Sequence, residues 1–162
     1  MEWLHLLQRF LSDFLRGAGV TLELTAVGLT LGFVLGLLLA LAKVYAPRFL
    51  RGAATAYIEV FRGTPLLVQL FLIYYGLPSL GITLSQNLSA YLALGLNSAA
   101  YQAEYFRGAL QAVPSGQSTA AQALGFTRWQ SVRHVVLPQA MRLVIPSLSN
   151  ECTYLVLYTS IA

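Results

Sequence analysis

The stretch LTAVGLTLGFVLGLLLALA, residues 24–42, contains no charged side chain and lies between Glu23 and Lys43. A helix needs about 20 predominantly apolar residues to cross a hydrocarbon core about 30 Å thick, and this run supplies nearly all of them. The chain around it has the same character. Of 162 residues, 57% are hydrophobic and only 10% are charged, with a mean hydropathy of +0.65, so too few charges remain to cover a water-facing surface of this size. Residues 63–103 are uncharged as well. The sequence therefore reads as an all-α integral membrane protein with several spans, and a large soluble domain is excluded.

Two smaller features bear on processing and redox chemistry. Ala40-Leu41-Ala42 has the form of a small-residue cleavage site after an apolar run. Against cleavage, Glu2 and Asp13 accompany Arg9 and Arg16 near the N-terminus, and the run exceeds the roughly 7–15 residues of a signal peptide's apolar region. A retained helix is expected. Cys152 is the single cysteine, so no intrachain disulfide can form, and a small core residue is expected there.

Residues 2–16 (EWLHLLQRFLSDFLR) place Trp3, Leu6, Leu7, Phe10, Leu11, Phe14 and Leu15 at helical spacing, the pattern of an amphipathic interfacial helix. A first span is expected over 19–44, ended by Pro47 in a charged connector. A second is expected over 54–77 with a kink at Gly63-Thr64-Pro65, because residues 65–77 alone are too short to cross. An uncharged, turn-rich loop covers 78–89, and a third span follows over 88–112. Ser115 is expected to cap a short helix that Gly125 ends. Thr127-Arg128-Trp129-Gln130 has the form of a capping box for a second short helix. Pro138 suits the start of a fourth span to residue 161. Residues 118–138 (STAAQALGFTRWQSVRHVVLP) thus form a helix-turn-helix between spans three and four.

Basic residues orient these spans. Lys43, Arg48 and Arg51 follow span one, and Arg107, Arg128, Arg133 and Arg142 cluster around the helix-turn-helix, whereas the 78–89 loop holds none. The positive-inside rule places both basic segments in the cytoplasm and the N-terminus, the 78–89 loop and the C-terminus outside. A cytoplasmic partner is expected to read the helix-turn-helix.

These residues resemble a known family. Permease subunits of binding-protein-dependent ABC importers carry a cytoplasmic pattern of EAA, three residues, glycine, nine residues, isoleucine, one residue and LP. Thr119-Ala120-Ala121, Gly125, Val135 and Leu137-Pro138 fall at that spacing. YIEVFRGTPLLVQLFLIYYGLP (57–78), with Glu59, Arg62, Gly63, Thr64 and Pro65, looks like the second span of the polar amino-acid permeases of the histidine, glutamine and arginine type. NSAAYQAEYFRGAL (97–110) and IPSLSNE (145–151) resemble the same branch.

Beyond the N-terminal amphipathic helix (1–16) read from the residues, the resemblance covers about 17–162 and implies a type I importer transmembrane domain there, in a bacterial inner membrane. It implies import of polar or basic amino acids. ATP and Mg would be held by partner ABC ATPase subunits, with a second permease subunit, identical or not, and an external solute-binding protein. Small Ala120 and Ala121 let the coupling helix enter a groove of the ATPase, and a side chain at Gly125 is expected to find no space. Thr119 stands where the motif has Glu, which removes a charge that could pair with an Arg. Leu157 and Tyr158 replace polar or charged residues common after the NE element. The family has a fifth span, and this chain stops at Thr159-Ser160-Ile161-Ala162, where the loop before it would begin; it is expected to be C-terminally incomplete for an active permease. Two other readings stay open: an ion-coupled secondary transporter, against which no internal repeat is found, and a non-transporting fragment of a split permease.

Function is expected to be translocation rather than catalysis. No phosphate-cradling GxxxxGK[ST] occurs, so no cofactor is expected on this chain. His5 and His134 lie on opposite expected sides of the membrane and make no metal site. No nucleic-acid partner is expected. Glu151 lies roughly 20 Å along the fourth span from Pro138, near mid-membrane, where a carboxylate is costly and is a functional-site candidate by default. Asn150, Tyr154 and Tyr158 flank it and suit an amino acid's ammonium. Gln69, Asn97, Tyr101 and Gln102 are further polar groups inside spans; Gln69, Asn97 and Tyr101 join the substrate-path candidates, against the alternative of helix-joining hydrogen bonds. Glu59 with Arg62, and Glu104 with Arg107, are expected as i,i+3 pairs.

Overall fold

A computed structural model describes residues 2–161, with side chains from Phe10 onward. Its elements are α1 (Glu2–Tyr45), α2 (Arg48–Gly63), α3 (Leu66–Phe71), α4 (Gln86–Ala112), α5 (Ser115–Ala123), α6 (Arg128–Ser131) and α7 (Leu137–Tyr158), and no strand occurs among the described residues. The uncharged run 24–42 lies in α1. Nothing breaks α1 between the segment 2–16 and the first span, so the two form one helix of 44 residues, about 66 Å long at 1.5 Å per residue. Phe10, Leu11, Phe14 and Leu15 are exposed along it; the side chains of Trp3, Leu6 and Leu7 lie outside the described residues.

By length and composition, α1 is apolar enough to cross a membrane from Phe10 to Tyr45, and α2 with the helical segment 66–80 qualifies as a second crossing only if the pair counts as one. The expected kink is a full break, with the two arms 104° apart. α4 and α7 have 27 and 22 residues, about 40 and 33 Å. Several of their polar groups face other helices, which lowers their hydropathy without exposing those groups to lipid: Ser89, Ser98 and Gln102 are completely buried, and Glu151 nearly so.

α4 is the centre of the bundle. It packs along α1 on one side and α7 on the other, and α2 and α3 also touch it. In a bilayer there is little hydrophobic force between helices, and close backbone approach replaces it. α1 supplies that approach through glycines one turn apart. A Cβ on Gly36 would stand 3.0 Å from both the Ala103 nitrogen and the Ala99 carbonyl oxygen, and one on Gly32 would stand 2.5 Å from Gln102 Nε2. Two apolar clusters flank this contact. One gathers Ala40, Phe106, Leu110, Val136 and Val144 toward the helix-turn-helix, with Phe33 edge-on to Phe106 at 5.2 Å. The other joins Leu24, Ala90, Leu94 and Leu155 at the opposite end.

Two prolines shape the remaining helix ends. A proline lacks an N–H and crowds the carbonyl four residues back, and a wide turn relieves both problems. Such π turns precede Leu77-Pro78, over Leu72–Gly76, and Leu137-Pro138, over Val132–Val136. In each, the leucine N–H reaches back five residues, to the Leu72 or Val132 carbonyl. The second turn corrects the expectation of a separate short helix before the fourth span, because α6 runs through it into α7.

Gly36→Ala should destabilise the chain by about 1–3 kcal/mol, since its new methyl meets backbone that cannot swing away. Gly52→Ala, where a Cβ meets open space in α2, should be neutral or stabilising by up to about 1 kcal/mol. Denaturant titration of both variants in detergent micelles measures the difference; equal stabilities would refute the close-packing account.

Candidate functional site

The break between α2 and α3 starts from local sequence. Pro65 disfavours helical geometry at the residue before it, and Thr64 is extended at φ −110°, ψ 135°. A helix end away from water must find partners for its last carbonyls. Gln69 provides them: its Nε2 donates to the Phe61 carbonyl at 2.7 Å and to the Thr64 carbonyl at 3.0 Å, while Thr64 Oγ1 donates to the Val60 carbonyl at 2.8 Å. Asn97 Nδ2 on α4 donates to Gln69 Oε1 at 3.2 Å and ties the break to the bundle. On α2 itself, Tyr57 donates to the Leu96 carbonyl at 2.8 Å.

Beside the break lies a cavity of about 430 Å³, lined by Arg62, Thr64, Pro65, Asn97, Tyr101 and Tyr158 among others. Arg62 does not pair with Glu59, contrary to the i,i+3 expectation. Its guanidinium instead sits over the Tyr101 ring, 5.3 Å from the centroid, an arrangement that favours a cation electrostatically. Among the described residues the ion pairs are those of Glu104, which receives Lys43 Nζ and Arg107 Nη2 at 2.7 Å each and so joins the end of α1 to α4.

Glu151 is buried, at 4% exposure, and points into the interface of α7 with α4. Its carboxylate accepts from Ser98 Oγ at 2.7 Å. Gln102 Nε2 donates to Ser98 Oγ at 2.9 Å and to the Leu29 carbonyl at 3.2 Å, extending the network to α1. Of the substrate-path residues read from sequence, the cavity brings together Asn97, Tyr101 and Tyr158. Gln69 lies behind Asn97, Glu151 is held between helices, and Asn150 and Tyr154 lie on the exposed face of α7. No group of three His, Cys, Asp or Glu side chains suited to a metal occurs among the described residues.

At the other end of α4, Pro114 rather than Ser115 occupies the N-cap of α5, without a side-chain cap. The expected turn forms fully. Gly125 adopts φ +91°, its N–H donates to the Gln122 carbonyl at 3.0 Å, and the Phe126 N–H donates to the Ala121 carbonyl at 3.1 Å, a Schellman closure. Space is not what selects glycine: a Cβ at Gly125 would meet nothing within 4 Å, and the left-handed backbone is the constraint. The capping box also forms, with Thr127 N donating to Gln130 Oε1 at 2.8 Å. Thr119 and Ala120 face outward, but Ala121 is buried, and α5 packs on the helical segment that follows it.

Residues 32–162 match the family described as the binding-protein-dependent transport system inner membrane component. The chain belongs to this family. It is 39% identical over 162 residues to the L-cystine transport system permease protein TcyB of Bacillus subtilis, covering 100% of this chain and 69% of that protein. With the arginine transport system permease protein ArtQ of the same organism it shares 41% over 138 residues, covering 85% of this chain and 63% of that one. The chain thus spans about two thirds of the length of these curated relatives. Among solved structures, an amino acid ABC transporter crystallised with histidines superposes with a TM-score of 0.87 at 40% identity, over 96% of this chain and 72% of that one.

For a binding-protein-dependent permease chain, the residues that sequence reasoning missed are informative. Leu124, Phe126 and Trp129 form an exposed apolar edge around the Gly125 turn, at 83%, 41% and 59% exposure. Their signal was present: large apolar residues beside a left-handed glycine on a polar segment. The sequence reading has Arg62 as half of an i,i+3 pair with Glu59, and the structure puts it in the cavity lining, over Tyr101.

Gly125→Val puts a β-branched residue at a positive φ and should cost the turn about 1–2 kcal/mol, with Gly125→Asn costing less. Hydrogen–deuterium exchange at Phe126, whose N–H closes the turn, should accelerate in the valine variant more than in the asparagine one. Unchanged exchange in both would mean that the backbone conformation is not what glycine supplies.

Proposed function

We propose that this chain is a translocation subunit of an ATP-driven importer of polar or basic amino acids. The observation that carries the reading is a cavity with polar side chains in its lining, at a broken helix, joined through one continuous helix, α4, to an exposed coupling segment. The names of its relatives and its resemblance to amino-acid permeases support the substrate class. In this reading α5 with its apolar edge docks on an ABC ATPase subunit that binds ATP and Mg. A second permease subunit completes the path, and an external binding protein delivers the amino acid.

The mechanics follow from connectivity. α5 leaves α4 through only Val113 and Pro114, and α6 runs helically into α7. A displacement of α5 on ATPase closure is therefore delivered to α4 and α7 together, and Tyr101 and Tyr158 are carried on those two helices. α2 and α3 meet at a hinge rather than a continuous helix, so the cavity can open on that side. The Glu151 carboxylate, close behind the phenols, would set a negative field for an ammonium. Asn97 Oδ1 and the Tyr101 and Tyr158 hydroxyls are its direct candidates. Orientation follows the basic residues: coupling segment in the cytoplasm, N-terminus outside.

Two measurements test this. In a Cys152→Ser background, a cysteine at Thr83 should be labelled by an impermeant maleimide from outside, and one at Ala123 only after permeabilisation; the reverse pattern would invert the topology. In proteoliposomes carrying the assembled transporter, Glu151→Gln should reduce amino-acid uptake at least about tenfold, the scale of one charge-assisted contact. Assembly should survive, because the amide oxygen can still accept from Ser98. Unchanged uptake would leave Glu151 a helix-joining residue alone.

A further inference from the structure

We propose that Arg62 is the residue that receives the substrate's α-carboxylate, so that the cavity discriminates amino acids from the corresponding amines. The inference rests on the cavity being the substrate path. Three observations carry it. Arg62 lines the cavity beside Asn97, Tyr101 and Tyr158. Its guanidinium is held over the face of Tyr101 at 5.3 Å. Among the described residues it has neither a carboxylate within ion-pair distance nor a hydrogen-bond partner, although Glu59 is one turn away on the same helix.

Position along the helices adds to this. Arg62 lies roughly 20 Å along α2 from Arg48, Tyr101 lies about 16 Å along α4 from its Ala112 end, and Glu151 lies about 20 Å along α7 from Leu137. The Arg62 side chain is exposed rather than packed between helices. An arginine within a membrane protein's helices ordinarily pairs or marks a substrate path. Arginine is also always charged, and its planar fork matches a carboxylate in a bidentate manner. Stacking on Tyr101 orients the fork without consuming its N–H groups.

Acceptors line the same cavity. Asn97 donates through its amide nitrogen to Gln69, which leaves Oδ1 as an acceptor, and the Tyr101 and Tyr158 phenols add two more. Donors on Arg62 and acceptors on α4 and α7 around one cavity make a dipolar site, complementary to a zwitterion whose carboxylate meets Arg62. An amine without a carboxylate would leave the guanidinium without an anionic partner.

The test uses the detergent-solubilised permease–ATPase complex without binding protein, so that discrimination upstream does not contribute. Binding of L-histidine and L-arginine is compared with that of their decarboxylated counterparts, histamine and agmatine. The wild type should prefer each amino acid by about 10- to 100-fold, the range of charge-assisted hydrogen bonds. Arg62→Gln should bring the ratio to within about threefold by weakening the amino acids and not the amines. Arg62→Lys keeps a charge but loses the fork, and should give an intermediate ratio; it also serves if the glutamine variant does not assemble. If Arg62→Gln leaves the ratio unchanged while Tyr101→Ala weakens all four ligands, the cavity is the binding site and Arg62 is not its carboxylate partner. If neither substitution changes any affinity, the cavity itself is not the substrate path, and the inference falls with that reading.

Discussion

The backbone contact between α1 and α4 governs the arrangement of everything else. Helices in lipid gain little from burying apolar side chains against one another, so their association depends on how closely their backbones pack and on the polar bonds between them. Gly32 and Gly36 bring α1 onto the small-residue face of α4 at Ser98, Ala99, Gln102 and Ala103. With α4 fixed along α1, α7 takes the remaining face. Glu151 then reaches Ser98, and Gln102 reaches across to the Leu29 carbonyl.

This contact also explains how polar groups are tolerated inside an apolar chain. Most of those between the helices close bonds that the bilayer cannot supply, while Thr25 Oγ1 and Gln102 Oε1 stay buried without a partner among the described residues. Gln69 satisfies carbonyls freed where α2 ends, and Asn97 anchors Gln69. The helix can break by 104° at Pro65 without abandoning its carbonyls. A break of that kind produces a concavity, and the cavity sits against it. Asn97 takes part in both: its nitrogen donates to Gln69, and the residue lines the cavity.

The helix-turn-helix obeys a different constraint, since it lies outside the packed spans. Its shape is set locally, by the Schellman turn at Gly125 and the capping box at Thr127, and it is fastened by Ser131 Oγ donating to Ser118 Oγ at 3.2 Å. Local bonds make it a preformed unit, and the short Pro114 link and the wide turn before Pro138 join it stiffly to α4 and α7. Such a unit can carry a displacement without unfolding.

What the sequence by itself determined are the features with local causes. The uncharged run at 24–42, the break at Thr64-Pro65, the left-handed turn at Gly125 and the capping box at Thr127 each follow from side chains within a few residues of one another, so periodicity and turn chemistry reveal them. The family motif spacing was legible for the same reason. Tertiary structure alone decided which polar groups meet. Glu151 and Ser98 are distant in sequence, and nothing near Glu151 announces that its carboxylate is bonded to α4 rather than presented beside Tyr154. Arg62 and Glu59 have the spacing of a helical pair, yet the approach of α4 puts an aromatic face under Arg62, and its guanidinium lies over the Tyr101 ring rather than beside the Glu59 carboxylate. The direction of a side chain on a lipid-facing or protein-facing side depends on which helix comes to lie against it, and that is a property of the packed bundle.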